Sequence, residues 1–240
     1  YVYVDKTAFV YELAQSGKYY FLSRPRRFGK SLLLSTLEAY FQGKKELFKG
    51  LALEQLEKDW KVYPVFHLDF NTGLYTNPEG LVSIIDEHLR YFEKDYDIEP
   101  NGFSLSERFK AIIRCAYEKT GQKVVILVDE YDKPLLEAIG NEPLQNDYRK
   151  MLKSFYGIAK TMDSYIQFAF FTGVTKFSKV SIFSDLNNLM DISLDYRFAE
   201  VCGITEKEIH QHLDEEVAQM AEANHLTIEE CYAKLKENYD

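Results

Sequence analysis

The chain of 240 residues has few cysteines, fewer basic than acidic residues and no long apolar run, and each of these features disfavours a class of protein. Its three cysteines lie far apart and match no metal-binding spacing, which excludes a disulfide scaffold and favours reduced thiols in a cytoplasm. No apolar run reaches the roughly 18 residues of a membrane-spanning helix. With 29 basic against 38 acidic residues, the net charge of −9 argues against general attraction to nucleic acid.

The chain is long enough for one large or two small domains, and 46% of its residues are hydrophobic, as in soluble globular proteins. Apolar runs of strand length alternate with segments of helical periodicity, which predicts a parallel sheet with helices on both faces. The predicted strands cover residues 19–22, 65–70, 124–128, 165–171 and 190–194. The predicted helices cover residues 7–16, 32–41, 104–119 and 144–161, and others begin at 78 and after 205 and 227.

A phosphate-binding loop is indicated by residues 24–31, whose sequence RPRRFGKS ends in Gly-Lys-Ser. The loop follows a strand-like run and opens a helix, and this context makes the motif credible. Backbone N–H groups of such a loop surround a phosphate, while Lys30 reaches the β- and γ-phosphates and the Ser31 hydroxyl can ligate Mg²⁺. The nucleotide-binding residues predicted from the motif are Arg26, Arg27, Phe28, Gly29, Lys30, Ser31 and Leu32.

The loop departs from the usual pattern because Arg24 stands where the first glycine of a phosphate-binding loop is expected. With Pro25 next to it, the chain must enter the loop by a stiffer path than glycine would allow. Taken alone, the motif is as compatible with a chance match on a basic turn as with a nucleotide site. Three roles stay open for Arg26 and Arg27: contact with the phosphates of ATP, pairing with nearby acids, or projection outward.

A second motif supports the nucleotide site, because the apolar run 124–128 is followed by Asp129 and Glu130. An unbroken β-branched run is typical of a central parallel strand, and ligands bind at the carboxyl ends of such strands. Asp129 is therefore predicted to hold Mg²⁺, and Glu130 to polarise the attacking water, as in hydrolysing P-loop ATPases of the additional-strand class. The plainer alternative is that an acid here caps the next helix.

The third element is the apolar run 165–171, which ends at Thr172 and Gly173. In additional-strand P-loop ATPases, the strand after the acidic motif inserts between the two motif-bearing strands and ends in a polar residue near the γ-phosphate. Thr172 is the candidate for that sensor, with Thr175 and Lys176 behind it. A simple turn at Thr172 and Gly173 explains these residues equally well.

Three further charged residues keep two interpretations each. Asp69 ends a predicted strand, and it either faces the site or only caps the loop. Asp132 either caps a helix or pairs with a loop arginine. Arg197 either acts as an arginine finger, within the chain or on a neighbour, or forms an ordinary salt bridge.

Together these segments resemble the bacterial family of predicted AAA-ATPase-like proteins. The resemblance rests on residues 5–7, 20–31, 47–51, 129–132, 182–189 and 203–206, and it covers nearly the whole chain. It implies an α/β fold, a P-loop NTPase of the additional-strand class in the STAND and archaeal-ATPase-like branch, with a parallel five-stranded sheet flanked by helices. An arginine at position 24 is usual in this family, so the odd loop supports the resemblance.

The resemblance also implies a division of the chain into a P-loop core, residues 1–203, and the start of a C-terminal helical lid, residues 204–240. Members of the family commonly continue into a nuclease-like domain of the PD-(D/E)XK type. We expect that effector to lie outside this chain, which begins without Met, and its residues contain no such active site.

The function expected from these observations is Mg²⁺-dependent binding and hydrolysis of ATP that drives or gates the effector. The alternative is a nucleotide-operated switch or scaffold with little or no turnover. The residues predicted to carry catalysis are Lys30, Glu130 and Thr172, and those predicted to hold the metal are Ser31 and Asp129.

The expected partners follow from the same observations. They are ATP and the fused or associated effector, with no membrane contact and with nucleic acid contacted only indirectly. Direct binding of nucleic acid through Arg24, Arg26, Arg27 and the aromatic residues is a weaker third hypothesis, which the acidic charge disfavours. A homo-oligomer is compatible with the sequence, which does not fix the oligomeric state. The expected location is the cytoplasm.

Overall fold

Five parallel strands form one sheet in the computed structural model, which describes residues 2–99, 103–176, 182–184 and 186–239. The strands are β1 (Tyr19–Ser23), β2 (Val65–Asp69), β3 (Val124–Asp129), β4 (Ile166–Gly173) and β5 (Met190–Asp191). Their order across the sheet is β2-β3-β4-β1-β5, so β4 lies between β1 and β3. This order confirms the predicted sheet of the additional-strand class, with the third apolar run inserted between the two motif-bearing strands.

Helices cover both faces of this sheet. In the described part of the chain they are α1 (Thr7–Ser16), α2 (Lys30–Phe41), α3 (Ala52–Leu56), α4 (Pro78–Asp95), α5 (Leu105–Thr120), α6 (Lys133–Glu137), α7 (Glu142–Tyr156), α8 (Ile158–Thr161), α9 (Glu206–His212), α10 (Asp214–Ala223) and α11 (Ile228–Tyr239). Helices α1 and α2 share one hydrophobic cluster with the sheet, and α4, α5 and α7 share another on the opposite face. The site-bearing edge therefore rests on a sheet buried from both sides.

The interior strand β3, which lies between β2 and β4, shows why its sequence is continuously apolar. All six of its residues are buried. Val125 and Leu127 pack toward α1 and α2, whereas Val124, Ile126 and Val128 pack toward α4, α5 and α7. Because neither face meets water, the strand has no polar alternation, as expected for a parallel strand between two helical layers.

The register of the strands brings the predicted motifs to one edge of the sheet. Asp69 at the end of β2 lies opposite Asp129 at the end of β3, and Ser23 at the end of β1 lies opposite Gly173 at the end of β4. Just beyond β1, the backbone N–H of Arg24 donates to the carbonyl oxygen of Gly173 at 3.2 Å. The phosphate-loop strand and the inserted strand thus end side by side.

One predicted helix, over residues 144–161, is divided in the structure. Helix α7 ends and α8 begins on either side of Gly157. Glycine is about 1 kcal/mol less favourable than alanine in a helix interior, which makes this the weakest position of the predicted segment. The helix also starts earlier than predicted, since the Asn141 side chain accepts a hydrogen bond from the backbone N–H of Leu144 and caps it.

Three helices follow Gly203 and pack on one another. Helices α9, α10 and α11 enclose a small apolar cluster of Val217, Ala221 and Cys231. Thr205 and Glu208 form a capping box at the start of α9, which confirms the predicted helix start there. The predicted division between core and lid at residue 203 stays a prediction. Within the described residues, no helix is both long and apolar enough to cross a membrane.

A buried ion network between α4 and α5 gives a first prediction, on stability. The Arg108 guanidinium donates to both oxygens of Glu93, at 2.7 and 2.8 Å, and to Asp86. Replacing Glu93 with Ala leaves the buried arginine short of a partner, so we expect a loss of about 3–5 kcal/mol in the free energy of unfolding, measured by urea denaturation. Lys61→Ala breaks an exposed pair with Asp59 and is the control, with an expected loss of at most about 1 kcal/mol. Equal losses in the two variants would contradict the prediction.

Candidate nucleotide-binding site

The phosphate loop runs from the end of β1 to the first turn of α2. Gly29 is the residue before the helix, and its φ of +81° lies in the left-handed region that glycine adopts without strain. Arg27 also has a positive φ, of 67°. Lys30 and Ser31 open α2, so its unpaired N–H groups face the space that the loop surrounds.

Lys30 lies at the centre of the loop and is nearly buried, with 4% of its surface exposed. Its ammonium group donates to the carbonyl oxygens of Arg24 and Pro25, each at 3.1 Å. It also lies 3.1 Å from the Glu130 carboxylate, in an ion pair between the two predicted motifs. Three oxygens of the protein therefore hold the ammonium between the loop and the acidic motif.

Asp129 links three of the predicted site residues. The Ser31 hydroxyl donates to its Oδ2 at 2.5 Å, and the Thr172 hydroxyl donates to its Oδ1 at 2.6 Å. Side-chain hydroxyls thus engage both carboxylate oxygens. Asp129 is the last residue of β3, so the alternative of a helix cap is wrong. Thr172 is fully buried within β4, and the alternative of a simple turn at this residue is wrong.

Glu130, like Arg27, carries a side chain on a backbone with a positive φ. Its φ of 54° lies in the left-handed region, which is uncommon for a residue with a side chain and is often found at functional sites. Burial raises the pKa of its carboxyl above the usual value, whereas the hydrogen bond and charge of Lys30 lower it. The strained turn holds this carboxylate at the edge of the sheet, facing the phosphate loop.

Asp132 has neither of its two predicted roles. Its buried carboxylate accepts hydrogen bonds from the backbone N–H groups of Val174 and Thr175 and from the Thr175 hydroxyl. It forms no side-chain cap on α6, and no arginine of the described residues pairs with it. Its neighbour Tyr131 donates its hydroxyl to the Thr175 carbonyl. The two side chains therefore fasten the segment after β4 to the acidic motif.

A cavity of about 460 Å³ lies at this edge of the sheet, and it is called the phosphate cavity after the phosphate loop that lines it. It is lined by Arg26, Arg27, Gly29, Lys30, Ser31, Leu32, Asn71, Glu130 and Lys133. Six of the seven residues predicted from the loop motif line it, and the seventh, Phe28, lies next to it. Neither Asn71 nor Lys133 was predicted to be a site residue. The one sequence signal for Lys133 was its position three residues after Glu130. Thr172 and Asp129 do not line this cavity: Thr172 donates to Asp129, which in turn accepts the hydroxyl of the lining residue Ser31.

A larger chamber of about 630 Å³ opens on the other side of the loop. The N-terminal segment, α2 and the three C-terminal helices enclose it, and its walls are mostly apolar: Val2, Val4, Val10, Phe28, Leu32, Leu33, Val201, Ile204, Ile209, Leu213, Val217, Met220 and Leu235 are among them. Arg27, Gly29 and Leu32 line both spaces. The apolar chamber and the phosphate cavity therefore meet at the loop.

The structure also places the two remaining ambiguous residues. The Oδ1 atom of Asp69 accepts the backbone N–H of Asn71 at 2.8 Å, so this side chain caps the loop after β2. Arg197 donates to both carboxylate oxygens of Asp195 and packs beside the ring of Phe198. Its contacts are those of an ordinary salt bridge.

The fold and this site define the class of protein. A Gly-Lys-Ser loop on β1, an acid pair at the end of β3 and a strand inserted between them are the parts of an additional-strand P-loop NTPase. The chain belongs to the family described as "Predicted AAA-ATPase", whose pattern matches residues 1–183. Membership supports nucleotide binding at the level of the family.

Among the proteins that are similar to this chain are one sequence relative and one solved structure. "Uncharacterized protein in vnfD 5'region" of Azotobacter chroococcum mcd 1 is 43% identical over 210 residues, which are 87% of this chain and 40% of that protein. The chain thus spans less than half the length of this relative. The solved ORC2 protein of Aeropyrum pernix, in ADPNP-ADP complexes, shares 12% identity with a TM-score of 0.45, covering 100% of this chain and 71% of that one. This second likeness is too distant to carry an argument.

Proposed function

We propose that the chain binds MgATP and hydrolyses it to ADP and phosphate. The observation that carries the proposal is the meeting of Lys30, Ser31 and Glu130 at one wall of a cavity with further basic residues. Asp129 lies behind that wall and accepts a hydrogen bond from the Ser31 hydroxyl. Phosphoryl transfer requires mainly positioning of the reactants and neutralisation of charge. A basic cavity that also contains a buried carboxylate supplies both.

Lys30, Ser31 and Asp129 form the part of the site that holds the phosphates. The Lys30 ammonium would exchange the two loop carbonyls for phosphate oxygens, and the loop N–H groups would donate to the same phosphate. Ser31 and Asp129 fit Mg²⁺, which prefers oxygen ligands and usually takes the rest of its ligands from phosphate and water. The ion, when bound, neutralises phosphate charge. Thr172 would hold the Asp129 carboxylate in position.

Glu130 would act on the attacking water. Once Lys30 turns to the phosphates, the Glu130 carboxylate loses its ion-pair partner and can accept a proton. As the water oxygen bonds to the γ-phosphorus, the bond from that phosphorus to the bridging oxygen breaks, and Glu130 takes the proton of the water. The raised pKa that burial gives this carboxyl makes it a better proton acceptor than an exposed glutamate.

The apolar chamber would hold the base and ribose. It adjoins the phosphate cavity at Gly29, and its apolar walls suit a planar ring. Phe28 is a residue of the loop that lines the chamber, and its ring lies close to Gly203 at the start of the lid helices. The base assigned here is adenine, from the family description and not from a specific base contact.

Phosphate release and nucleotide binding test the proposal together. We expect the chain to bind a fluorescent ATP analogue and to release phosphate from ATP when Mg²⁺ is present, with EDTA abolishing the release. GTP, measured in parallel, tests the assignment of adenine. A chain that binds neither nucleotide would refute the proposed function, whereas binding without turnover would favour the alternative below.

The alternative function is a nucleotide-operated switch with slow turnover. It is favoured by the ion pair between Lys30 and Glu130, which occupies the two groups that hydrolysis requires. The N-terminal segment is also tied to the lid, because Lys6 and Glu208 form an ion pair. ATP in the chamber between them would fix the lid and thereby control an effector. A long-lived complex with unhydrolysed ATP would identify this behaviour.

A further inference from the structure

The phosphate cavity contains more positive charge than the proposed reaction has used. Among the described residues that line it, Arg26, Arg27, Lys30 and Lys133 are basic, and Glu130 is the one acid. Lys30 alone has a role in the proposed chemistry. The other three cations therefore have no assigned role in the transfer of the γ-phosphoryl group.

Lys133 lies in the same turn as the proposed base. Its backbone N–H donates to the carbonyl oxygen of Glu130 at 3.0 Å. Its ammonium lies 2.6 Å from the Glu137 carboxylate, one turn further along α6, and its side chain is 19% exposed. Glu137 is about half exposed, and ion pairs of this kind are weak. The flexible lysine stem therefore allows the ammonium to exchange this carboxylate for a phosphate oxygen.

Arg26 places a second cation near the same carboxylate. The hydrogen bond and charge of Lys133 lower the pKa of Glu137, and the positive charge of Arg26 lowers it further. No hydrogen bond or ion pair engages the Arg26 guanidinium within the part of the chain that the structure describes. Arg26 and Lys133 both line the cavity, and Glu130 is the one acid among the described residues of its wall, which leaves an excess of positive charge there.

We propose that Lys133, with Arg26 on the wall of the same cavity, contacts the γ-phosphate and supplies from within the chain the charge that stabilises the transferring phosphoryl group. This inference rests on the proposed function. In phosphoryl transfer, negative charge is spread over the three outer oxygens of the moving group, and one added cation there accelerates the reaction by about 10³–10⁵-fold. Glu137 is only the resting partner of Lys133 before nucleotide arrives. No arginine from a neighbouring molecule is then required.

The test compares three variants of the chain, in hydrolysis and in binding. Lys133→Ala is expected to lower kcat at least about 100-fold and to weaken binding of a non-hydrolysable ATP analogue, with ADP affinity unchanged. Lys133→Arg keeps a cation and should recover most of the rate. Glu137→Gln removes the resting partner but keeps Lys133, so it should retain the wild-type rate or exceed it.

Glu137→Gln is the matched control, because it breaks the same ion pair without removing the cation. An equal loss in Glu137→Gln and Lys133→Ala would overturn the inference in favour of a structural ion pair. So would a Lys133→Ala variant that keeps the wild-type rate and the wild-type preference for the ATP analogue over ADP. If the wild type binds ATP without turnover, the binding comparison alone decides, and a wild type that binds no nucleotide would refute the proposed function and this inference with it.

Discussion

Replacing Glu130 with Gln should lower the rate of MgATP hydrolysis by about 10²–10⁴-fold, because the amide cannot accept the proton of the attacking water. The same change should leave ATP affinity intact or raise it. In the structure the Glu130 carboxylate holds the Lys30 ammonium, and a neutral amide competes less well with phosphate for that ammonium. The rate of hydrolysis is thus expected to fall without a loss of ATP affinity.

Steady-state phosphate release and titration with a fluorescent ATP analogue measure the two effects in one preparation. The dependence of the rate on pH adds a second signature. Burial raises the pKa of Glu130, so the wild-type rate should fall as the pH drops through that value, since the protonated carboxyl cannot act as a base. The rate that remains in Glu130→Gln should not show this fall at low pH. A variant with wild-type turnover would show that another group activates the water.

Replacing Lys30 with Ala should remove nucleotide binding almost completely. Truncating one partner of a buried, hydrogen-bonded charge pair costs about 2–5 kcal/mol, which is roughly 30- to 5000-fold in affinity. The side chain is also the group that holds two loop carbonyls in the absence of phosphate, so the loop itself loses its central contact. Calorimetric titration with MgATP measures the loss.

The matched control for this variant addresses stability. Lys30→Ala leaves the buried Glu130 carboxylate without its cation, which is unfavourable in itself. The double variant Lys30→Ala with Glu130→Gln removes both charges, so it should recover thermal stability while still failing to bind ATP. Retained affinity in the single variant would contradict the assignment of the phosphate loop.

The strands and the two motifs could be predicted because their causes are local. A strand buried on both faces must be apolar at every position, which makes β3 visible as a continuous run ending in Asp129 and Glu130. The insertion of β4 between β1 and β3 is not local, and it was predicted from the resemblance to a known class. The break at Gly157 was missed because the apolar spacing continues across it.

The parts of the site that escaped prediction are built from distant segments. Asp132 binds residues 174 and 175, and no pattern near Asp132 reports on that contact. The apolar chamber joins the N-terminal segment to α2 and to helices some two hundred residues downstream, and each contribution is a few scattered apolar side chains. Asn71 and Lys133 are ordinary polar residues in the sequence, and only the ends of β2 and β3 bring them to one cavity.

The central position of β4 sets the order in which the chain can fold. The strand before the phosphate loop pairs with a strand far downstream, and Ser23 and Val174, which hydrogen bond across the pair, are 151 residues apart. Closing so long a loop is entropically slow, so folding of this core is governed by non-local contacts. During synthesis on the ribosome, the backbone edges of β1 stay without their partner strands until β4 and then β5 emerge. The chain is therefore expected to acquire nucleotide affinity late and in a single step, after most of its core has been translated.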